Sequence, residues 1–142
     1  MNNFGHDFGK VFLQRGNTFN ITEGNFSVRH ALDEGIYQIM QDPMSGALYL
    51  EKIANSFHFG FKLYGIDEPL VKHVVNTYQK QPCKRNIGVL LNGAKGTGKT
   101  VTAKVMANKL GLPVIICDRP YPGLSNFLAS ITHDCVFFFD SL

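Results

Sequence analysis

Gly93-Ala94-Lys95-Gly96-Thr97-Gly98-Lys99-Thr100 is the stretch that decides how this chain is read, because it satisfies the pattern G-x-x-x-x-G-K-[ST] at every fixed position. The spacing has a physical basis. Glycines let successive backbone N–H groups turn inward around a β-phosphate, the lysine ammonium reaches the β- and γ-oxygens, and the final hydroxyl ligates magnesium. The loop predicts a site for a nucleoside triphosphate and Mg2+.

The flanks suit that chemistry. Ile87-Gly88-Val89-Leu90-Leu91 reads as a buried strand entering the loop. Lys99 to Leu110 reads as the helix leaving it, with Val101, Val105 and Ala103, Met106, Ala107, Leu110 at helical spacing and Gly111 before Pro113 as a stop signal. The N-terminus of such a helix adds partial positive charge where phosphates would lie. A glycine-rich turn with an incidental lysine is the ordinary alternative, and the strand, loop and helix order weighs against it.

With 142 residues, the chain suffices for one modest domain, or for a small appendage plus part of a larger one. A hydrophobic fraction of 44% supports a packed core. The net charge of +3 is too small to argue for nucleic acid, and the basic stretch Lys80-Gln81-Pro82-Cys83-Lys84-Arg85 reads as a solvated connector. No apolar run approaches the ~20 residues of a membrane span, and Met1 to His6 lacks the regions of a signal peptide, so the expectation is a cytoplasmic protein with no membrane partner. Cys83, Cys117 and Cys135 are widely spaced and form no C-x-x-C pair, which fits reduced thiols, the last two as small core residues.

Before the loop the chain reads as β-rich. Val11 to Gln14 and Thr18 to Ile21 flank Arg15-Gly16-Asn17 as a short hairpin, and Ile36 to Met40 and Ala47 to Leu50 flank the turn Asp42-Pro43-Met44-Ser45-Gly46. Phe57, Phe59, Phe61 and Leu63 alternate with polar or small residues, predicting a strand with one buried face rather than a base-stacking platform. Asp67 is a good N-cap, Pro69 suits a first turn, and Leu70, Val71, Val74, Val75 and Tyr78 mark a helix. After the loop helix come the strand Val114 to Cys117, a short helix around Leu124 to Ile131, and the apolar run Cys135-Val136-Phe137-Phe138-Phe139-Asp140. Alternating strands and helices predict an α/β fold with a parallel sheet covered on both faces. The organisation expected is a β-rich region over residues 1–63 and a nucleotide-binding domain over 64–142.

An apolar strand ending in aspartate, roughly forty residues after a phosphate loop, has the form of a Walker B motif. Ligands of open α/β sheets bind at strand carboxyl ends, so Asp140 is expected beside the phosphates with Thr100 and Asp140 in the magnesium shell. His133-Asp134-Cys135 carries metal-capable side chains, but neighbours on a strand face opposite ways, so a turn or capping role is expected. No serine lies in a G-x-S-x-G elbow.

On these motifs the chain resembles the AAA+ ATPases from about Tyr64 onward, and a β-rich segment ahead of the core looks like some compact phage-encoded remodelling members. The resemblance implies a P-loop NTPase three-layer sheet, ATP and Mg2+ as cofactors, ATP hydrolysis, and a ring-forming homo-oligomer when the domain is complete. It makes Tyr64, Gly65 and Ile66 candidates for the adenine pocket, Gly93 to Thr100 with Val101 the nucleotide loop, and Lys99 and Asp140 the catalytic pair. Two departures matter. Ser141 stands where the family places a water-activating glutamate, and the sequence stops at Leu142 before the sensor strand, arginine finger and helical lid. The expectation is a partial domain that binds nucleotide and turns it over poorly. A nucleotide-binding module without turnover and a P-loop kinase-like transferase remain alternatives. Nothing in the sequence specifies a macromolecular substrate.

Overall fold

The computed structural model describes residues 9–59, 66–80, 87–89 and 99–139. The chain divides into two compact units, Met1–Ala31 and Leu32–Leu142.

The first unit contains a hairpin of β1 (Lys10–Arg15) and β2 (Thr18–Glu23), antiparallel with Arg15 opposite Thr18. Two residues, Gly16 and Asn17, make the connection, and Gly16 has φ 61°, a left-handed conformation that favours glycine. Lys10 and Glu23 close the open end as an ion pair.

The second unit is built on a four-stranded sheet. Its strands are β3 (Ile36–Gln41), β4 (Leu48–Ala54), β5 (Val114–Cys117) and β6 (Val136–Phe139), in the order β4-β3-β5-β6. β3 and β4 form an antiparallel hairpin, whereas β3, β5 and β6 are mutually parallel. The β3–β4 turn is tied by Asp42, whose Oδ1 accepts N–H bonds from Met44 (2.8 Å) and Ser45 (3.4 Å). Those two backbone donors, Met44 first, hold the Asp42 carboxyl below its usual range.

Among the described residues there are three helices in this unit: α1 (Glu68–Lys80), α2 (Lys99–Leu110) and α3 (Leu124–Ala129). Side chains alternate across each strand, so two cores form. Tyr37, Ile39, Ile115 and Cys117 face α3 residues Leu124, Phe127 and Leu128. Ile36 and Val114 pack on the other face with Ala107 of α2. Val71 and Val74 of α1 pack against Met106 of α2, placing α1 outside α2. This is the expected α/β architecture with helices on both faces of a parallel-containing sheet.

Several expectations change. The β3–β4 hairpin, grouped by the sequence reading with residues 1–63, shares a sheet with β5, and the compact units part between Ala31 and Leu32. The cause is hydrogen bonding: the Val114 N–H donates to the Gly35 carbonyl at 2.8 Å, and the parallel ladder continues from there. Residues 57–59, expected in an alternating strand, lie in none, and residues 60–63 fall outside the described residues. Asn108 of α2 takes the role of a strand neighbour. Its Oδ1 accepts the Phe57 N–H at 3.0 Å and its Nδ2 donates to the Phe57 carbonyl at 2.9 Å, while the Phe57 ring meets Phe138 at 5.8 Å. Ile87 and Val89, expected in a buried strand, are 38% and 41% exposed and lie in no strand. Among the described residues β6 ends the sheet on that side, so no described strand offers them a partner.

Two outcomes test this packing. Asn108→Ala orphans both polar groups of the half-buried Phe57 backbone and should lower stability by about 2 kcal/mol, read as a lower urea midpoint at unchanged slope. Cys117 is 1% exposed, and burial first, then the charges of Asp118 and Cys135, push its thiol up to about 11. Native protein at neutral pH should therefore leave Cys117 unalkylated by iodoacetamide, with mass-spectrometric labelling appearing on denaturation. Since the folded value lies above the unfolded one, the contribution of this thiol to stability is present below about 9 and is lost as pH rises towards 11.

Candidate functional site

The parallel strands β3, β5 and β6 end at one sheet edge, at Gln41, Cys117 and Phe139. Sites in open α/β sheets lie outside such carboxyl ends. Gly111, with φ 67°, turns the chain from α2 through Pro113 into the start of β5. So short a link makes α2 run opposite to β5. Ala107, near the end of α2, packs with Ile36 and Val114 at the strand starts. At a rise of ~1.5 Å per residue, Lys99 lies about 12 Å back towards the carboxyl edge. Helix α2 thus opens at that edge with Lys99 as its first residue and Thr100 exposed in its first turn. A twelve-residue helix directed this way brings unsatisfied N–H groups and partial positive charge to the edge. That charge and an exposed hydroxyl fit a phosphate with its magnesium ion.

The entry to α1 is bonded to α2. Asp67 caps α1 by accepting the Leu70 N–H on Oδ1 at 3.1 Å, and its own N–H donates to Thr102 Oγ1 at 3.2 Å. Thr102 is 2% exposed, a buried hydroxyl spent on this one segment. Ile66, immediately before the cap, packs half-buried against Val71, Val74 and Met106. The candidate adenine residue is thereby fixed relative to the helix that begins at Lys99. Sequence reading missed Thr102. Its available signal was a polar residue one turn before Met106 on an apolar helix face.

On the sheet's carboxyl edge, Cys117 pairs with Phe139, and the exposed Asp118 follows β5. Asp140 follows Phe139 in sequence and lies outside the described residues, as do Tyr64, Gly65 and Gly93 to Gly98. Of the predicted site residues, the structure describes Ile66, Thr100 and Val101, and the backbone of Lys99. His133 and Asp134, expected in a turn or capping role, make hydrogen bonds to residues distant in the sequence. His133 Nε2 accepts the Leu32 N–H at 3.2 Å, and Asp134 accepts the Tyr78 hydroxyl. Among the described residues no three metal-capable side chains cluster, and no helix is long and apolar enough to cross a membrane.

A parallel sheet sandwiched by helices, with α2 opening at its carboxyl edge directly after a glycine-rich loop, defines a partial P-loop NTPase fold. Residues 89–141 match the family model described as ATPase family associated with various cellular activities (AAA). Nucleotide binding and ATPase activity are properties of that family. Neither the curated proteins nor the solved structures include a match to the chain.

Thr102→Val removes the acceptor of the Asp67 N–H at nearly constant volume. The expected cost is about 1 to 2 kcal/mol, with faster hydrogen exchange concentrated at Asp67 to Val71 when followed residue by residue.

Proposed function

We propose that this chain binds Mg-ATP through Gly93 to Thr100 and Val101. The observation that carries the reading is the complete loop sequence running directly into α2, inside the stretch that matches the AAA family model. Backbone N–H groups of the glycine-rich loop would hold the β-phosphate, and the Lys99 ammonium would offset charge on the β- and γ-phosphates. The Thr100 hydroxyl and the Asp140 carboxylate hold the metal shell. A magnesium ion held by these two residues would supply charge neutralisation to the phosphates. Tyr64, Gly65 and Ile66 form the adenine wall, a role supported by the hydrogen bond that ties the following residue to α2.

Turnover in this reading is weak. Phosphoryl transfer depends on positioning the attacking water, and Ser141, unlike a glutamate, cannot act as its base near neutral pH. The second reading, a nucleotide-binding module, rests on that same residue. Assembly into a ring of copies and a cytoplasmic setting belong to the ATPase reading.

Lys99→Ala should weaken Mg-ATP affinity by at least about tenfold in calorimetry, from loss of a charge-assisted contact. Equal affinity would overturn the assignment. Asp140→Asn should shift the magnesium dependence of binding, and an unchanged titration would leave Asp140 as a strand terminator alone. Single-turnover phosphate release should stay near background. Robust turnover abolished by Lys99→Ala would instead mean that another acid replaces Ser141, with Asp118 the nearest described choice by register.

A further inference from the structure

Among the described residues no strand pairs with the outer edges of the β1–β2 hairpin, and several of its apolar side chains are exposed. Phe12, Phe19 and Ile21 share one face and are 65%, 57% and 64% exposed. Two-stranded hairpins are marginal in water, whereas three or more strands with an apolar face are stable. Among the described residues no strand pairs with the outer edge of β2.

The two edges differ in charge. β1 is bracketed by Lys10 and Arg15, so a seam between two β1 strands would gather four cations. β2 is uncharged from Thr18 to Thr22, and its single acid, Glu23, is already paired with Lys10. No lysine or proline within β2 protects its edge.

Register and backbone direction are compatible with a second copy of β2. The Gly24 N–H donates to the Gly9 carbonyl at 2.8 Å, and the ladder runs from there to Arg15 opposite Thr18. In an antiparallel ladder hydrogen-bonded pairs alternate, so Thr18, Asn20 and Thr22 turn their peptide groups towards β1. Phe19, Ile21 and Glu23 turn theirs outward. A second β2 strand centred on Asn20 meets those groups in phase: Phe19 lies opposite Ile21 of the second copy, Thr18 opposite Thr22, and Asn20 opposite Asn20. Apolar side chains fall on the same face, aromatic against β-branched, and hydroxyl meets hydroxyl. Glu23 lies opposite Asn17, with no like-charge contact.

We infer that β2 pairs antiparallel with β2 of a second copy of this chain about a two-fold axis at Asn20, giving a four-stranded sheet. The interface is isologous and uses no residue of the nucleotide loop.

Sedimentation velocity on the full chain should show a concentration-dependent dimer without nucleotide. Ile21→Pro removes a donor that points away from β1, so the hairpin keeps its own ladder and the dimer dissociation constant should rise by at least about tenfold. Val28→Lys, at a residue 80% exposed and outside the hairpin, should leave it unchanged. Asn20→Cys supplies a test that disrupts nothing. Opposed residues of a non-hydrogen-bonded pair lie about 4.5 Å apart between Cα atoms, within disulfide reach. Mild oxidation of the Asn20→Cys variant should therefore join the two copies through their introduced thiols, a cross-link identified by peptide mass spectrometry. A parent chain monomeric at every soluble concentration would overturn the inference. So would a dimer that survives Ile21→Pro unchanged and gives no cross-link at position 20.

Discussion

The structure of the larger unit depends on β5 being buried on both faces at once. Val114, Ile115 and Cys117 are 2%, 0% and 1% exposed, so this short strand contributes to both cores. Such a strand must be apolar throughout, as Val-Ile-Ile-Cys is, and must have a layer on each side. Chain connectivity supplies those layers: α2 enters β5 from one face and α3 leaves it on the other. The direction of α2, and with it the position of Lys99 at the carboxyl edge, follows from that arrangement.

Two polar contacts then fix what apolar packing leaves free. Hydrophobic contact lets a helix slide along a sheet, because burial is non-directional. The Thr102 bond to the Asp67 N–H and the paired bonds between Asn108 and Phe57 remove that freedom at two points along α2. Both are buried or half-buried, so each also satisfies groups that would otherwise be costly to desolvate. The helix that begins at Lys99 is thus located with respect to the entry of α1 and to the sheet.

Much of this was legible in the sequence because local patterns carry it. Gly16-Asn17 and Asp42 to Gly46 announce hairpins, Asp67 and Pro69 announce α1, and Gly111 with Pro113 ends α2. What local pattern cannot carry is pairing between distant strands, so the union of β3 with β5 has no signature in either segment, and the expected boundary at residue 63 falls inside the unit that begins at Leu32. The alternation at Phe57 misled for a related reason: period two describes which way side chains point, and an asparagine on a helix can satisfy a backbone as well as a strand can. For the site, α2 was readable from Lys99 onward, whereas the buried Thr102 needed knowledge of what α2 packs against. Gly93 to Gly98, Asp140, Tyr64 and Gly65 remain readings of the sequence.

The parallel pairing of β3 with β5 also sets an order of events during synthesis. Ile36 pairs with Val114, with both α1 and α2 between them in the chain. A hairpin such as β3–β4 closes in microseconds, whereas a ribosome needs on the order of several seconds to make the intervening segment. Throughout that interval the inner edge of β3, with Ile36, Tyr37 and Ile39 beside it, has no neighbour. Nascent chains of this protein therefore pass through a state whose open edge invites pairing with other chains, and their yield at high expression is governed by how soon β5 arrives to close it.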